Sequence, residues 1–200
     1  LDEALDVLAS NPGAKVMSGG MSLLPLMKLR LFSPEVVVDI GRIPGLAAIT
    51  DAGDHLAIGA LVRHGQTASE AAVAEHAAAL AEAASYTGDV QVRNRGTTCG
   101  ALAHADIAAD QPAAALALGA TMVAASKNGT RQIDSADFFV DTLTSALNPD
   151  EILVEVRVPK AGGGSVYDKL GRRGGHSDYA VAGAAAWVKK SNGTVEDARV

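Results

Sequence analysis

Hydrophobic and polar positions along this chain follow both helical and strand periods. Leu1, Leu5 and Leu8 recur at helical spacing, and Pro12-Gly13 then ends that helix with turn chemistry. Short apolar or alternating runs predict strands at 14–17, 35–40, 55–62, 120–126, 130–133, 151–159, 165–170 and 179–188. Asn128-Gly129 and Asn192-Gly193 predict hairpin turns beside these strands.

Two further stretches predict helices. The apolar residues of 23–31 predict a short buried helix with Pro25 in its first turn. Thr67-Ala-Ser-Glu70 matches a capping box and predicts a helix over 71–86. Because helices and strands mix without a regular strand–helix–strand alternation, the predicted fold class is α+β.

Composition excludes several kinds of protein. The 200 residues are 48% hydrophobic and 20% charged, which is typical of a globular chain, and the net charge of -6 argues against a nucleic-acid partner. No apolar run approaches the ~18 residues of a membrane span. No secretory signal opens the chain, which begins in mid-pattern as if residues were missing upstream, so a cytoplasmic protein is expected. The single cysteine, Cys99, cannot form an intrachain disulfide or a four-cysteine cluster site.

Two glycine-bearing loops are the candidate binding elements. Ser18-Gly19-Gly20-Met21-Ser22 lies between a predicted strand and helix, and Thr97-Thr98-Cys99-Gly100-Ala101 lies further along. Each offers backbone N–H groups beside hydroxyls, an environment that suits a diphosphate. A tight turn explains each loop equally well, so the residues alone leave both interpretations open.

The common catalytic motifs are absent: the chain has no phosphate-loop GKS or GKT, no GxGxxG, no HExxH and no GxSxG. His64, His76 and His104 have no partners at metal-ligand spacing and are predicted to be structural or exposed. We therefore predict neither a catalytic residue nor a metal site in this chain.

Three segments together resemble a known family: "SGGMSLLPLMKLRLFSPEVVVDI", "GDVQVRNRGTTCGALAHADIAAD" and "YDKLGRRGGHSDYAVAGAAAWV". In this order they resemble the FAD-binding medium subunit of the carbon monoxide dehydrogenase type, a molybdenum hydroxylase family that includes the flavin domain of xanthine dehydrogenase. The resemblance implies a two-subdomain FAD-binding fold of the PCMH type. Its subdomains are expected at 1–50 and 51–160, and 161–200 is expected to begin a C-terminal α+β domain that is incomplete here.

The resemblance implies that both loops wrap the FAD diphosphate. The family loops read Ala-Gly-Gly-His-Ser and Thr-Ile-Gly-Gly-Asn or -Ser, so Gly19 and Gly20 are expected to let the main chain touch the diphosphate. Cys99 replaces a glycine and Ala101 a polar residue. The second loop therefore loses a possible hydrogen bond and gains a side chain, which is expected to alter FAD affinity.

Further site residues follow from the same resemblance. Asp110 matches an aspartate that binds the FAD ribose or nearby groups, with a helix N-cap as the alternative. Lys169 matches a lysine close to the flavin, and Tyr179 matches an aromatic ring that shields the isoalloxazine. Leu153 matches an apolar contact near the flavin, although ordinary core packing explains it equally well. The basic segment 172–178 is either a solvated loop or a surface that faces the flavin or a partner subunit.

The implied function is that of an oxidoreductase subunit that is active only in a complex. FAD is bound non-covalently and passes electrons from [2Fe-2S] clusters of a small subunit to an external acceptor, while a large subunit holds the molybdenum cofactor. A dimer of heterotrimers is expected, in the cytoplasm or held at the inner membrane through the complex. Two alternatives stay open: a flavin-free scaffold subunit, and a self-sufficient flavin oxidase of the vanillyl-alcohol oxidase type.

Overall fold

The computed structural model describes residues 1–172 and 178–200 of the chain. Helices and strands mix irregularly within these residues, which confirms the predicted α+β class. The helices are α1 (Asp2–Ser10), α2 (Leu23–Lys28), α3 (His64–Ser69), α4 (Ala71–His76), α5 (Ala78–Tyr86), α6 (Val90–Arg93), α7 (Thr98–His104), α8 (Asp110–Leu118) and α9 (Ser135–Phe138). The strands are β1 (Lys15–Met17), β2 (Val37–Asp39), β3 (Ile49–Asp51), β4 (His55–Gly59), β5 (Thr121–Ser126), β6 (Gly129–Asp134), β7 (Phe139–Asp141), β8 (Thr144–Ser145), β9 (Ile152–Pro159), β10 (Gly164–Gly171), β11 (Ala180–Ser191) and β12 (Thr194–Arg199).

A small parallel pair of strands opens the fold. β1 pairs with β2 in parallel, Lys15 opposite Val37, and α2 lies in the connection between them. α1 precedes this unit and buries Leu5 and Leu8, two of the apolar positions whose spacing predicted the helix. The first loop therefore leaves the end of β1 and enters α2, as the sequence predicts.

An antiparallel sheet of five strands holds much of the core, in the order β3-β4-β9-β5-β6. β9 pairs with both β4 and β5, and its Val156 and Val158 are buried together with Ile58 of β4. The predicted hairpin at Asn128-Gly129 is confirmed, since β5 and β6 pair on either side of it. β3 belongs to this sheet and spans the boundary placed at residue 50; the division into three parts stays a prediction.

The last three strands form a separate antiparallel sheet, β10-β11-β12. Tyr167 and Trp187 are buried on the face that packs against α5 and α8. The turn between β11 and β12 has φ of 51° at Asn192 and 80° at Gly193, the left-handed pair that a tight hairpin turn requires. This sheet carries Tyr167 and Lys169 to the side of α8, where the candidate site begins.

The prediction of a buried helix at 23–31 is wrong in one respect. The helix forms as α2, with Pro25 in its first turn, but none of its residues is fully buried. Leu29 and Leu31, just past its end, are 69% and 70% exposed. Leu26 and Met27 are half-buried whereas Leu24 is exposed, so the described residues cover only part of the apolar surface of this stretch.

The predicted capping box is also wrong. Thr67 lies inside α3, where its hydroxyl is buried against the hydroxyl of Thr98 at 2.7 Å, so it caps no helix. The predicted helix over 71–86 is interrupted at Ala77, whose φ of -145° separates α4 from α5. Thr67 has a tertiary partner 31 residues away, and this partner outweighs the local capping preference.

Candidate functional site

A cleft of about 800 Å³ runs between the first loop, the second loop and the start of α8. A cleft of this size falls in the range of ligand and cofactor sites. The predicted site residues that line it are Ser18, Gly19, Gly20, Met21, Ser22, Thr97, Cys99, Gly100, Ala101, Asp110, Leu153 and Tyr179. Two loops that lie about eighty positions apart in sequence thus face one space.

The two loops are bonded directly to each other. The hydroxyls of Ser18 and Thr97 lie 2.9 Å apart, and Thr97 Oγ1 also accepts a hydrogen bond from the N–H of Gly100 at 3.1 Å. A Cβ on Gly100 would lie 2.7 Å from Thr97 Oγ1 and 2.9 Å from Ser18 Oγ. Gly100 is therefore required by the junction of the loops.

Glycine is needed at positions 19 and 20 for different structural reasons. A Cβ on Gly19 would lie 2.1 Å from the carbonyl oxygen of Arg95, so only glycine lets the first loop pack against the backbone before the second. Gly20 has φ of 74°, a left-handed conformation that glycine adopts without strain. The close approach at Gly19 is thus made by the chain itself, whereas contact with a cofactor stays a prediction.

The first loop presents unpaired backbone donors. Within the described residues, no hydrogen bond is donated by the N–H groups of Gly19, Gly20, Met21 and Ser22. Gly19 is buried, Gly20 and Met21 are half-buried and Ser22 is exposed. A run of N–H groups without protein acceptors beside a cleft suits an anionic ligand.

Thr98 and Cys99 turn their side chains into the protein. Thr98 is fully buried and does not line the cleft; its hydroxyl pairs with that of Thr67. The thiol of Cys99 lies 3.5 Å from the carbonyl oxygen of Ile58, and burial raises its pKa far above the usual range. The extra side chain at Cys99 is therefore accommodated by the core beneath the second loop.

A buried ion pair supports the start of α8. Asp110 accepts a hydrogen bond from the hydroxyl of Tyr167 at 2.7 Å, and Lys169 Nζ lies 3.1 Å from the same carboxylate. The side chains of Lys169 and Asp110 are only 2% and 6% exposed. Burial, then the bond to Asp110, raises the pKa of Tyr167 well above its usual range. Tyr167, which the sequence did not indicate, completes this group.

Two predicted roles are changed by this arrangement. Asp110 is the first residue of α8 and Ala109 is the N-cap, without a capping side-chain bond, so the N-cap alternative for Asp110 is wrong. Lys169 lies outside the cleft lining and donates to the carbonyl of Tyr86 at 3.0 Å as well as to Asp110. Lys169 is therefore connected to the cleft only through its ion pair with Asp110.

A second buried polar group joins three residues that the sequence did not connect with one another. Gln111 Nε2 lies 2.7 Å from His64 Nδ1 and 3.0 Å from Thr87 Oγ1, and all three residues line the cleft. Burial, reinforced by the charge of Arg93, lowers the pKa of His64 from 6.5 to about 4. The histidine is therefore neutral at pH 7. No local pattern signals such contacts, because their partners lie 24 and 47 residues apart.

The remaining candidates differ in exposure. Leu153 is 4% exposed and lines the cleft, so it serves as core and as cleft wall together. Tyr179 is 70% exposed and lines the cleft. Of the predicted basic segment 172–178, residues 173–177 lie outside the described residues.

The described part of the chain lacks both a metal-binding cluster and a membrane-spanning helix. It holds no group of three or more His, Cys, Asp or Glu side chains arranged to bind a metal ion. It also holds no helix that is both long and apolar enough to cross a membrane.

A cleft between two glycine-bearing loops, the first of which has free N–H groups, is typical of sites for phosphate-bearing nucleotides. The family model for the FAD binding domain in molybdopterin dehydrogenase matches residues 1–161. The chain belongs to this family, which confirms the resemblance seen in the sequence.

Individual relatives agree in sequence and in fold. The chain is 42% identical over 191 residues to the 6-hydroxypseudooxynicotine dehydrogenase complex subunit alpha of Paenarthrobacter nicotinovorans, covering 94% of this chain and 64% of the relative. It is 42% identical to the carbon monoxide dehydrogenase medium chain of Hydrogenophaga pseudoflava, covering 94% and 65%. A solved carbon monoxide dehydrogenase from that organism, lacking the Mo-pyranopterin moiety, superposes with a TM-score of 0.94 over 99% of this chain and 69% of the other. The chain thus spans about two thirds of the length of these relatives.

Proposed function

We propose that the chain binds FAD non-covalently and serves as the electron-transferring flavin subunit of a molybdenum hydroxylase. The observation that carries the proposal is the run of unpaired N–H groups in the first loop, at Gly19, Gly20, Met21 and Ser22. These donors suit the diphosphate, because clustered N–H groups hold its charge without lysines. The 800 Å³ of the cleft suit a dinucleotide of this size.

The flavin end of the cofactor is assigned to the part of the cleft near Tyr179 and Leu153. The exposed ring of Tyr179 is suited to stack on the isoalloxazine, and Leu153 supplies an apolar contact. Asp110 offers a carboxylate that Tyr167 and Lys169 hold in one orientation. In this proposal Lys169 acts through Asp110, so its charge is felt at the cleft without an exposed ammonium group.

The chemistry belongs to the cofactor, since bound FAD exchanges electrons singly or in pairs. The chain's own residues bind and orient it. Electrons enter from [2Fe-2S] clusters of a small subunit, because Cys99 alone cannot ligate a cluster. A large subunit holds the molybdenum cofactor and oxidises the substrate. We propose a dimer of such heterotrimers, located in the cytoplasm and able to meet the inner membrane through the complex.

The absorption spectrum of the purified protein tests the proposal. We expect the bands of an oxidised flavin, and release of FAD into the supernatant after denaturation. Flavin that stays with the precipitate contradicts non-covalent binding, and folded complex without flavin supports the scaffold alternative. Substrate turnover by this chain alone, with an artificial acceptor, contradicts the subunit role and supports the self-sufficient oxidase.

A further inference from the structure

Leu143 occupies a turn position that ordinarily selects glycine or asparagine. Together with Thr142 it connects β7 to β8, and its φ of 55° lies in the left-handed region. The Cβ of an L-residue crowds the following carbonyl oxygen there, so leucine is strained where glycine or asparagine is tolerated. A residue persists in such a conformation only where the surrounding structure holds it, and residues of this kind cluster at ligand sites.

The neighbouring helix holds this strained turn in place. The N–H of Leu143 donates to the carbonyl oxygen of Ala105 at 2.9 Å. Ala105 is the C-cap of α7 and is itself left-handed, with φ of 51°, and it is buried. Because α7 begins in the second loop and contains Gly100, the turn is tied to the helix that joins the two loops.

The side chain of Leu143 gains little from the protein in return for this strain. It is 55% exposed and lines the cleft, whereas Phe138, just before β7, is fully buried. Apolar side chains stabilise a fold in proportion to the area they bury, so packing against the described residues does not account for leucine at this position. Its exposed apolar surface is instead available to a ligand in the cleft.

The segments on either side identify the end of the cleft where Leu143 lies. A second cleft, of about 470 Å³, adjoins the first and shares residues of the α7–α8 connection with it. Residues 139–142 of the hairpin and 180–183 of β11 both line the second cleft. The adjoining residue of each segment, Leu143 and Tyr179, lines the first cleft. The two segments therefore pass between the clefts together, which brings Leu143 and Tyr179 to the same end of the first.

We propose that Leu143 binds the isoalloxazine ring of FAD through an apolar contact, at the end of the cleft that Tyr179 also lines. The inference rests on the proposed function, which brings the flavin end of FAD to this part of the cleft. The isoalloxazine is planar and carries an apolar dimethylbenzene portion, so the isobutyl group of leucine gains a hydrophobic contact that glycine or asparagine cannot provide. This contact with the cofactor offsets the strain of the turn.

The test compares the full chain carrying Leu143→Asn with the wild type. Asparagine adopts the left-handed conformation readily and is close to leucine in size, but it is polar. Measured after removal of flavin, which would itself stabilise the protein, the Tm is expected to rise by about 2–4 °C as the strain is relieved. FAD affinity is expected to fall about 4- to 15-fold, the effect of one or two lost methylene contacts. The visible absorption bands of bound FAD are expected to shift, because the polarity beside the ring changes.

Two further variants serve as controls. Arg30→Asn is the matched control, since Arg30 has the same φ of 55° and lies outside the cleft lining. It is expected to raise the Tm and to leave the affinity and the spectrum of FAD unchanged. Leu143→Met keeps an apolar side chain of similar volume and is expected to keep FAD affinity within about 2-fold of the wild type. Should Leu143→Asn not fold, Leu143→Gly removes the side chain and the strain and gives the same comparison.

Several outcomes would overturn the inference while leaving FAD binding intact. One is a Leu143→Asn variant that binds FAD as tightly as the wild type. Another is a loss of affinity without a change in the flavin spectrum, because the contact then lies away from the isoalloxazine. A Tm that falls contradicts the strain on which the inference depends. Absence of any affinity of the wild-type protein for FAD overturns the proposed function as well, and is thus distinguished from the other outcomes.

Discussion

Two regions at the cleft differ in whether their polar groups are paired within the protein. The first loop, residues 18–22, leaves its backbone N–H groups without acceptors. The polar wall consists of His64, Asp110 and Gln111, which line the cleft, and of Thr98, which is buried behind it; their side chains are buried and nearly all of their polar atoms are paired within the protein. Free donors are available to a ligand, whereas paired groups fix geometry. The comparison indicates that the loop supplies binding and that the wall supplies orientation.

The largest expected effect concerns the polar wall. Lys169→Met leaves the Asp110 carboxylate buried without its cation, and breaking a buried pair in this way costs about 3–5 kcal/mol of stability. The matched control is Lys189→Met, whose partner Glu196 lies 4.0 Å away in an exposed pair, worth less than about 1 kcal/mol. Urea unfolding of both variants measures the difference. Equal effects would mean that the wall is not held by its ion pair.

The pH dependence of stability tests the wall at His64. Its folded pKa of about 4 lies below the ordinary 6.5, so between these values the unfolded state binds the proton more readily. The contribution of neutral His64 to the free energy of unfolding is therefore complete above about pH 6.5. It is lost as the pH falls toward 4, by about 3 kcal/mol in all. A His64→Gln variant is expected to flatten this part of the profile in urea unfolding at several pH values. An unchanged slope in the variant contradicts the assignment.

The first loop is tested by adding one methyl group. Gly19→Ala forces a Cβ against the Arg95 carbonyl, and such overpacking costs about 1–3 kcal/mol and separates the two loops. FAD affinity is expected to fall because the two loops are separated. Gly13→Ala is the control, because nothing lies within 4 Å of its added Cβ. Thermal unfolding and FAD titration of both variants give the comparison, and a Gly19→Ala variant indistinguishable from Gly13→Ala would refute the packing argument.

The smallest expected effects come from removing single hydroxyl groups, one from the polar wall and one from the first loop. Thr98→Val removes a buried bond to Thr67 and is expected to cost about 1 kcal/mol of stability with FAD affinity unchanged. Ser18→Ala removes the bridge to Thr97 beside the free donors, and is expected to weaken FAD binding by about 3-fold with little loss of stability. A loss of FAD affinity in Thr98→Val, together with a loss of stability alone in Ser18→Ala, would contradict the roles given to the first loop and the polar wall.

Local signals predicted the elements that carry the first loop and much of the fold. The strand, glycine pair and helix around residue 20 have the expected order, and the asparagine–glycine turns form where predicted, because each depends on adjacent residues. The polar wall could not be predicted in this way. Tyr167 meets Asp110 across 57 positions and His64 meets Gln111 across 47, so neither pairing leaves a periodic pattern.

Errors of prediction arose where a local rule competed with a tertiary contact. Thr67 fits a capping box, yet its hydroxyl is held by Thr98. Apolar spacing predicted that α2 is buried, yet spacing alone cannot say whether neighbouring elements cover every apolar face. Cys99 stands where the family has glycine, and only the structure reveals that its thiol packs against Ile58 in the core.

The central claim is that the free N–H groups of the first loop hold a diphosphate. Calorimetric titration of deflavinated protein with FAD and with riboflavin, which lacks the diphosphate and the adenosine, tests it most directly. Hydrogen bonds to a charged group contribute about 1.5–3 kcal/mol each, so loss of even two predicts riboflavin affinity at least about 100-fold below that of FAD. Riboflavin binding as tightly as FAD would contradict the claim.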